Sequence, residues 1–239
     1  MSSPWGSAAA VLVSDLQRIF GARLHAVVAY GPQLDGDGDA PLACLALVES
    51  LAIGDLEECA RLASQWGRRG LATPLILPKG EFRRSLDAFP LEYGEIIRAH
   101  ERVFGDDPFA AVSISRDDLR RACETQVKGH LLHLREGFIE AAGRPQTIAE
   151  LVSASAPAFA ALLRNIARLN GAPAANHAEA TEAGARAAGL PEGVIRDVLA
   201  LERHAAIPTT DAARLFPDYL AAVEQLARTV DAWRTETRA

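Results

Sequence analysis

The chain has 239 residues, 49% of them apolar, with 25 Lys and Arg against 31 Asp and Glu, enough to bury one large core or two small ones. Residues 1–110 carry 10 basic and 15 acidic side chains, and residues 111–239 carry 15 and 16. Neither half has the basic excess that displacing counterions from nucleic acid requires, which argues against general DNA or RNA binding; the pairs Arg68–Arg69 and Arg83–Arg84 read as solvated surface.

The apolar run at 42–48 is far shorter than the ~20 residues of a membrane span, and residues 1–17 lack the basic start of a signal peptide. Cys44, Cys59 and Cys123 form no CxxC pair. A cytoplasmic protein with buried free thiols and no membrane partner is the expectation.

In chain order, residues 7–20 are apolar-rich with Gly21 behind them, the pattern of a helix stopped by a left-handed glycine. A strand is predicted at 24–30 (LHAVVAY) and another at 42–48 (LACLALV), both apolar enough to be covered on two faces. Asp55 with Glu58 reads as a capping box opening a helix with Leu56, Cys59, Leu62 and Trp66 on one stripe. A third strand is predicted at 72–77, an edge strand on account of Pro74, and a fourth at 85–91 (SLDAFPL).

From Ser115 onward only helical periodicity remains. One helix carries Leu119, Cys123, Val127, Leu131, Leu134 and Phe138, and ends at Gly143 and Pro145. The next opens at Thr147 and Glu150 and should bend at Pro157. Further helices are predicted at 175–188, 191–205 and 217–236. Strands alternating with helices, then helices alone, imply an α/β (α+β) mixed-sheet domain over 1–110 followed by an all-α helical bundle over 111–239.

The order helix, strand, Tyr30-Gly31, polar loop, apolar strand, helix, strand, then helices resembles the polymerase β type nucleotidyltransferase superfamily. Within it, the likeness is to small bacterial proteins akin to kanamycin and lincosamide nucleotidyltransferases. The segment 85–109 (SLDAFPLEYGEIIRAHERVFGDDPF) looks like the stretch these proteins carry before their helical domain, and 131–143 like its first helix. The resemblance spans residues 10–170. It implies a nucleotidyltransferase-like first domain with a ligand, a nucleotide or small molecule, held at Tyr30, Gly31 and Glu92 in a cleft between the domains.

In that family a Gly-Ser turn holds the nucleotide's phosphates, and an Asp-x-Asp about ten residues on binds the Mg²⁺ that neutralises the phosphoryl transition state. Here Gly31 is kept, Pro32 replaces the serine, and the strand that should open with two acids opens Leu42, Ala43, Cys44. None of these is a hard oxygen ligand, so no metal site and no cofactor is assigned, and a degenerate member that binds a ligand or partner without nucleotidyl transfer is the preferred reading.

The alternative is an Mg²⁺- and nucleotide-dependent transferase acting on a small molecule through relocated acids drawn from Asp35, Asp37, Asp39, Asp87 and Glu92. The alternating aspartates do not make a calcium loop, because Ala40 and Ala46 stand where a glycine and a glutamate are needed. They read as a solvated turn. Glu92 also suits the first turn of a helix, with His100 further along it. His130 and His133, three apart, could face one side as metal ligands do, but no third ligand has a supporting spacing, and a packed histidine is expected. Glu136 and Glu140 read as solvent face, with Arg135 pairing a neighbour on its own helix. A homodimer through the helix of Trp233 is a further alternative.

Overall fold

Gly21, at φ +53°, turns the chain out of the first helix, α1 (Gly6–Phe20), through one 3₁₀ turn into strand β1 (Leu24–Tyr30). In the computed structural model, which describes residues 6–35, 40–172, 174, 176–203 and 209–236, β1 is followed by β2 (Ala43–Val48), α2 (Ile53–Arg68), β3 (Leu75–Pro78), α3 (Lys79–Arg84), α4 (Pro90–Arg98) and β4 (His100–Gly105). The four strands form one sheet in the order β3-β2-β1-β4. β1 runs antiparallel to both neighbours and β2 runs parallel to β3, so the sheet is mixed.

Both sheet faces are covered, which is why β1 and β2 are continuous apolar runs without polar alternation. On one face Leu42, Cys44, Ala46 and Val48 join Leu12 and Leu16 of α1 and Cys59 and Trp66 of α2. On the other, Val28, Leu45 and Leu47 lie under Phe82, Tyr93, Ile96 and Phe109. Side chains two apart on a strand share a face, so these sets alternate along β2.

The start of α2 is pinned by charge. Asp55 accepts the Ala52 backbone N–H at 2.9 Å and both arms of the Arg23 guanidinium at 2.7 and 2.8 Å. Arg23 beside it, together with that backbone donor, holds the Asp55 carboxyl down at about 2. The capping residue is therefore Ala52, with Asp55 reaching back to it, and Glu58 pairs with Arg61 instead.

Two predicted features differ. Residues 85–91 are not a strand: a turn leads to Pro90, which is the first residue of α4, a position where its missing N–H costs nothing. The fourth strand is β4, whose sequence HERVFG is too polar to read as a strand. It is an edge strand, half-exposed along its length, so charged residues are tolerated and even favoured there. It is clamped by Gly105 at φ +76°, where a Cβ would sit 2.1 Å from His25 O.

The chain divides into two compact units, Met1–Ser115 and Arg116–Ala239. The second consists of α5 (Arg116–Ala141), α6 (Pro145–Leu169), α7 (His177–Ala187), α8 (Glu192–Arg203) and α9 (Thr209–Glu236). α6 is the central helix and packs against the other four. It is long and apolar enough, by length and composition, to cross a membrane. Its apolar residues are accounted for by burial of Val152, Phe159, Leu162, Leu163 and Ile166 among its neighbours. It continues through Pro157 as one element, and α9 likewise runs through Pro217, starting earlier than the pattern predicts.

Candidate functional site

The sheet ends, on the side where β1 stops, in a tight turn. Gly31 has φ +94°, a conformation that disfavours any side chain. Leu34 N–H donates to Gly31 O at 3.0 Å, closing the 3₁₀ turn Pro32–Asp35. Registry places Tyr30 between Ala43 of β2 and His100 of β4, so these three form a row on one face beside Gly31. A Cβ on Gly31 would touch the Ala43 Cβ at 3.7 Å.

The side chains next to this row divide between the two faces of the sheet. Leu42 and Cys44 are each 1% exposed and point into the α1–α2 core, away from the Gly31 row. Burial pushes the Cys44 thiol up to about 12, which makes it inert as a nucleophile. The residues of β2 on the Gly31 face are Ala43, Leu45 and Leu47, the first two nearest the turn. Ala43 is half-buried, and Leu45 is fully covered by the aromatic group of Phe82, Tyr93 and Phe109. No residue of β2 carries a carboxylate on either face.

The sequence reading missed this aromatic group. Phe82 lies 4.9 Å from Tyr93 and 5.4 Å from Phe109 between ring centres, and Phe89 meets Tyr93 at 5.8 Å. The signal was available in the alternation along 42–48: had the two faces been assigned separately, one would have required apolar partners from 82–109.

The other predicted residues scatter. Tyr30 is half-buried, and burial, then the neighbouring Cys44, push its phenol up. Asp87 is exposed in the turn before α4, and Glu92 is exposed in the first turn of that helix. Asp35 ends the 3₁₀ turn, and Asp37 and Asp39 lie outside the described residues. Among the described residues no group of three or more His, Cys, Asp or Glu is arranged to hold a metal ion.

His100 is on β4, not on a helix. Its Nδ1–H donates to Ile97 O at 3.1 Å, its Nε2 lies 3.4 Å from Asp107 Oδ1, and its ring meets Phe109 edge-on at 4.8 Å. Both ring nitrogens are thus engaged, beside Phe109.

No family model matches the chain, and no curated protein matches it. Among solved structures, the spectinomycin adenyltransferase AAD(9) from Enterococcus faecialis, crystallised with ATP and spectinomycin, superposes with a TM-score of 0.59 at 14% identity. The match covers 92% of this chain and 98% of that one. The fold is nucleotidyltransferase-like. The mixed sheet followed by helices is compatible with that fold.

The two histidines of this nucleotidyltransferase-like chain meet different surroundings. His133 is exposed, while His130 turns into the helical unit, stacks on Phe159 and sits with Nε2 2.7 Å from Tyr219 Oη. Ser155 Oγ lies 3.2 Å from the same phenol. Burial, then His133, lower the His130 pKa from 6.5 to about 4.

Between 6.5 and about 4 the unfolded chain binds a proton that the folded chain does not, so this residue makes stability fall as pH drops through that window and level off below it. The shift corresponds to a loss of about 3 kcal/mol. Urea titrations from neutral pH down to the lower end of the window, on the parent and on His130→Gln, should show the parent's slope flattened in the variant. An unchanged slope would place the titration elsewhere. Arg135, for its part, pairs across to Glu224 of α9 at 2.8 Å rather than along its own helix.

Proposed function

We propose that this is a nucleotidyltransferase-fold protein that has lost nucleotidyl transfer and serves as a binding or interaction module for a nucleotide or other small ligand. The observation that carries the reading is the state of β2. Metal-dependent transfer in this fold needs paired carboxylates on one face of the strand beside the glycine turn. Here one alternating set, Leu42 and Cys44, is sealed in the core, and the other runs from half-buried Ala43 to fully buried Leu45. A charged pair has no place on either face, since an unpaired buried carboxylate costs several kcal/mol. The turn itself is kept: Gly31 retains its positive φ, and Tyr30 stands next to it as a half-buried aromatic wall.

Isothermal titration of the full chain with ATP and GTP, each with and without Mg²⁺, tests this. Expected is binding, if a nucleotide is the ligand, whose affinity does not depend on the cation. Strengthening of about tenfold or more by Mg²⁺, worth ~1.4 kcal/mol, would instead indicate a working metal site.

The second reading, transfer through relocated acids, draws on the likeness to an enzyme solved with ATP and spectinomycin and on the exposed carboxylates of Asp87 and Glu92. It predicts transfer of labelled AMP from ATP to an aminocyclitol or another hydroxyl acceptor, abolished by Glu92→Gln. Absence of label in any acceptor, under conditions where a nucleotide binds, supports the first reading.

A further inference from the structure

In the helical unit a five-residue pattern occurs twice, ten residues apart: Glu-Ala-Gly-Ala-Arg at 182–186 on α7 and Glu-Gly-Val-Ile-Arg at 192–196 on α8. In each, the glutamate, the apolar residue three further on and the arginine four further on share one helix face. Both faces line one cavity of about 300 Å³, the lower end of the size range of small-molecule sites.

Its floor is apolar but reachable. Ala185, Leu190, Ile195 and Leu199 retain 4–6% exposure, whereas Val198 and Leu163, close by in the core, retain none. Its rim is charged and loosely paired. Arg186 lies 3.6 Å from Glu182, and Arg196 approaches its neighbour Asp197 at 3.8 Å through Nε. Among the described residues neither guanidinium is in a hydrogen-bonded pair, so both forks are available to a carboxylate. Glu182 and Glu192 on the same walls disfavour a simple anion and offer acceptors to an ammonium group. Among the described residues that line the cavity none is aromatic, so none of them stacks a nucleobase.

We propose that this groove binds a small zwitterion with an apolar body, of the chemistry of a free aliphatic or aromatic amino acid. The carboxylate is gripped between Arg186 and Arg196, the ammonium faces the glutamates, and the side chain lies on the floor of Leu190 and Leu199. The groove lies within the helical unit, and its occupancy does not depend on whether a nucleotide binds at Gly31.

The test is a calorimetric titration of the full chain with L-leucine and L-phenylalanine, alongside leucinamide, which lacks the carboxylate, and isocaproate, which lacks the amine. Expected is saturable binding of one amino acid with a Kd of about 1 mM or tighter, weakened about tenfold or more for both truncated analogues. The double variant Arg186→Ala/Arg196→Ala should lose binding by a similar factor. Its melting temperature and any response to ATP should be unchanged, because both side chains are largely exposed. No saturation by about 10 mM, equal binding of either analogue, or retained binding in the double variant would each overturn the assignment.

Discussion

Leu45→Asp is expected to leave the sheet unit unfolded at room temperature, while Ala43→Asp, two residues earlier on the same face, is expected to be nearly silent. Leu45 has no exposure and sits beneath Phe82 and Phe109. Its replacement forfeits about 2 kcal/mol of apolar burial and strands a carboxylate at a cost of several kcal/mol more, together comparable to the ~5–15 kcal/mol that holds a whole domain. Ala43 is half-buried at the sheet's end, where a charge reaches water and the change should stay within about 1 kcal/mol. Urea unfolding followed by tryptophan fluorescence reads the sheet unit through Trp66, which is fully buried there and donates Nε1–H to Asp15 at 3.0 Å. Should Leu45→Asp unfold with the parent's midpoint, the closed face on which the proposed loss of nucleotidyl transfer rests would be wrong.

Gly184→Ala should be the most damaging small substitution in the helical unit. A Cβ at this position of α7 would lie 1.9 Å from the carbonyl oxygen of Leu163 on α6 and 2.6 Å from its carbon. Both are backbone atoms, so no rotamer change relieves the overlap and one helix must move. Overpacking of that kind costs about 3 kcal/mol or more, which outweighs the ~1 kcal/mol that alanine adds by helix propensity. Gly193 in α8 is the control: a Cβ there meets nothing within 4 Å, so Gly193→Ala should stabilise by up to ~1 kcal/mol. Thermal unfolding followed by far-UV circular dichroism of both variants decides it, with equal midpoints for the two as the outcome that would refute the argument.

Much of the architecture is legible in the sequence because its signals are local. The breaks at Gly21 and Gly31, the unbroken apolar runs of the central strands and the 3–4 spacing of the helical half each follow from one element's own chemistry. What escapes depends on elements far apart in the chain. β4 is polar because it is an edge, and only its partner β1, some 70 positions earlier (His100 pairs with Tyr30), makes it a strand. Pro90 weakens a strand reading but becomes favourable as the first residue of a helix. Arg135 pairs Glu224, and His130 finds Tyr219, across 89 positions each, which no spacing rule reaches.

The candidate site shows the same limit in a subtler form. That the strand after Gly31 lacks acids is plain from its composition. Which of its faces lies beside the turn is set by pairing with β1, and that pairing moves attention from Leu42 and Cys44 to Ala43 and Leu45.

The position of β1 inside the sheet also has a consequence for how the protein is made. β1 and β2 are adjacent in the chain and can pair as soon as they leave the ribosome, but the second edge of β1 stays open until residues 100–105 have been synthesised. During that interval a highly apolar central strand offers unpaired backbone groups to any other nascent chain, the exposure that makes long-range β pairing slow and prone to misassembly. Gly105, seated against the His25 carbonyl, is the last residue of the strand that closes that edge, so the sheet becomes complete only when synthesis is almost at the end of the first unit.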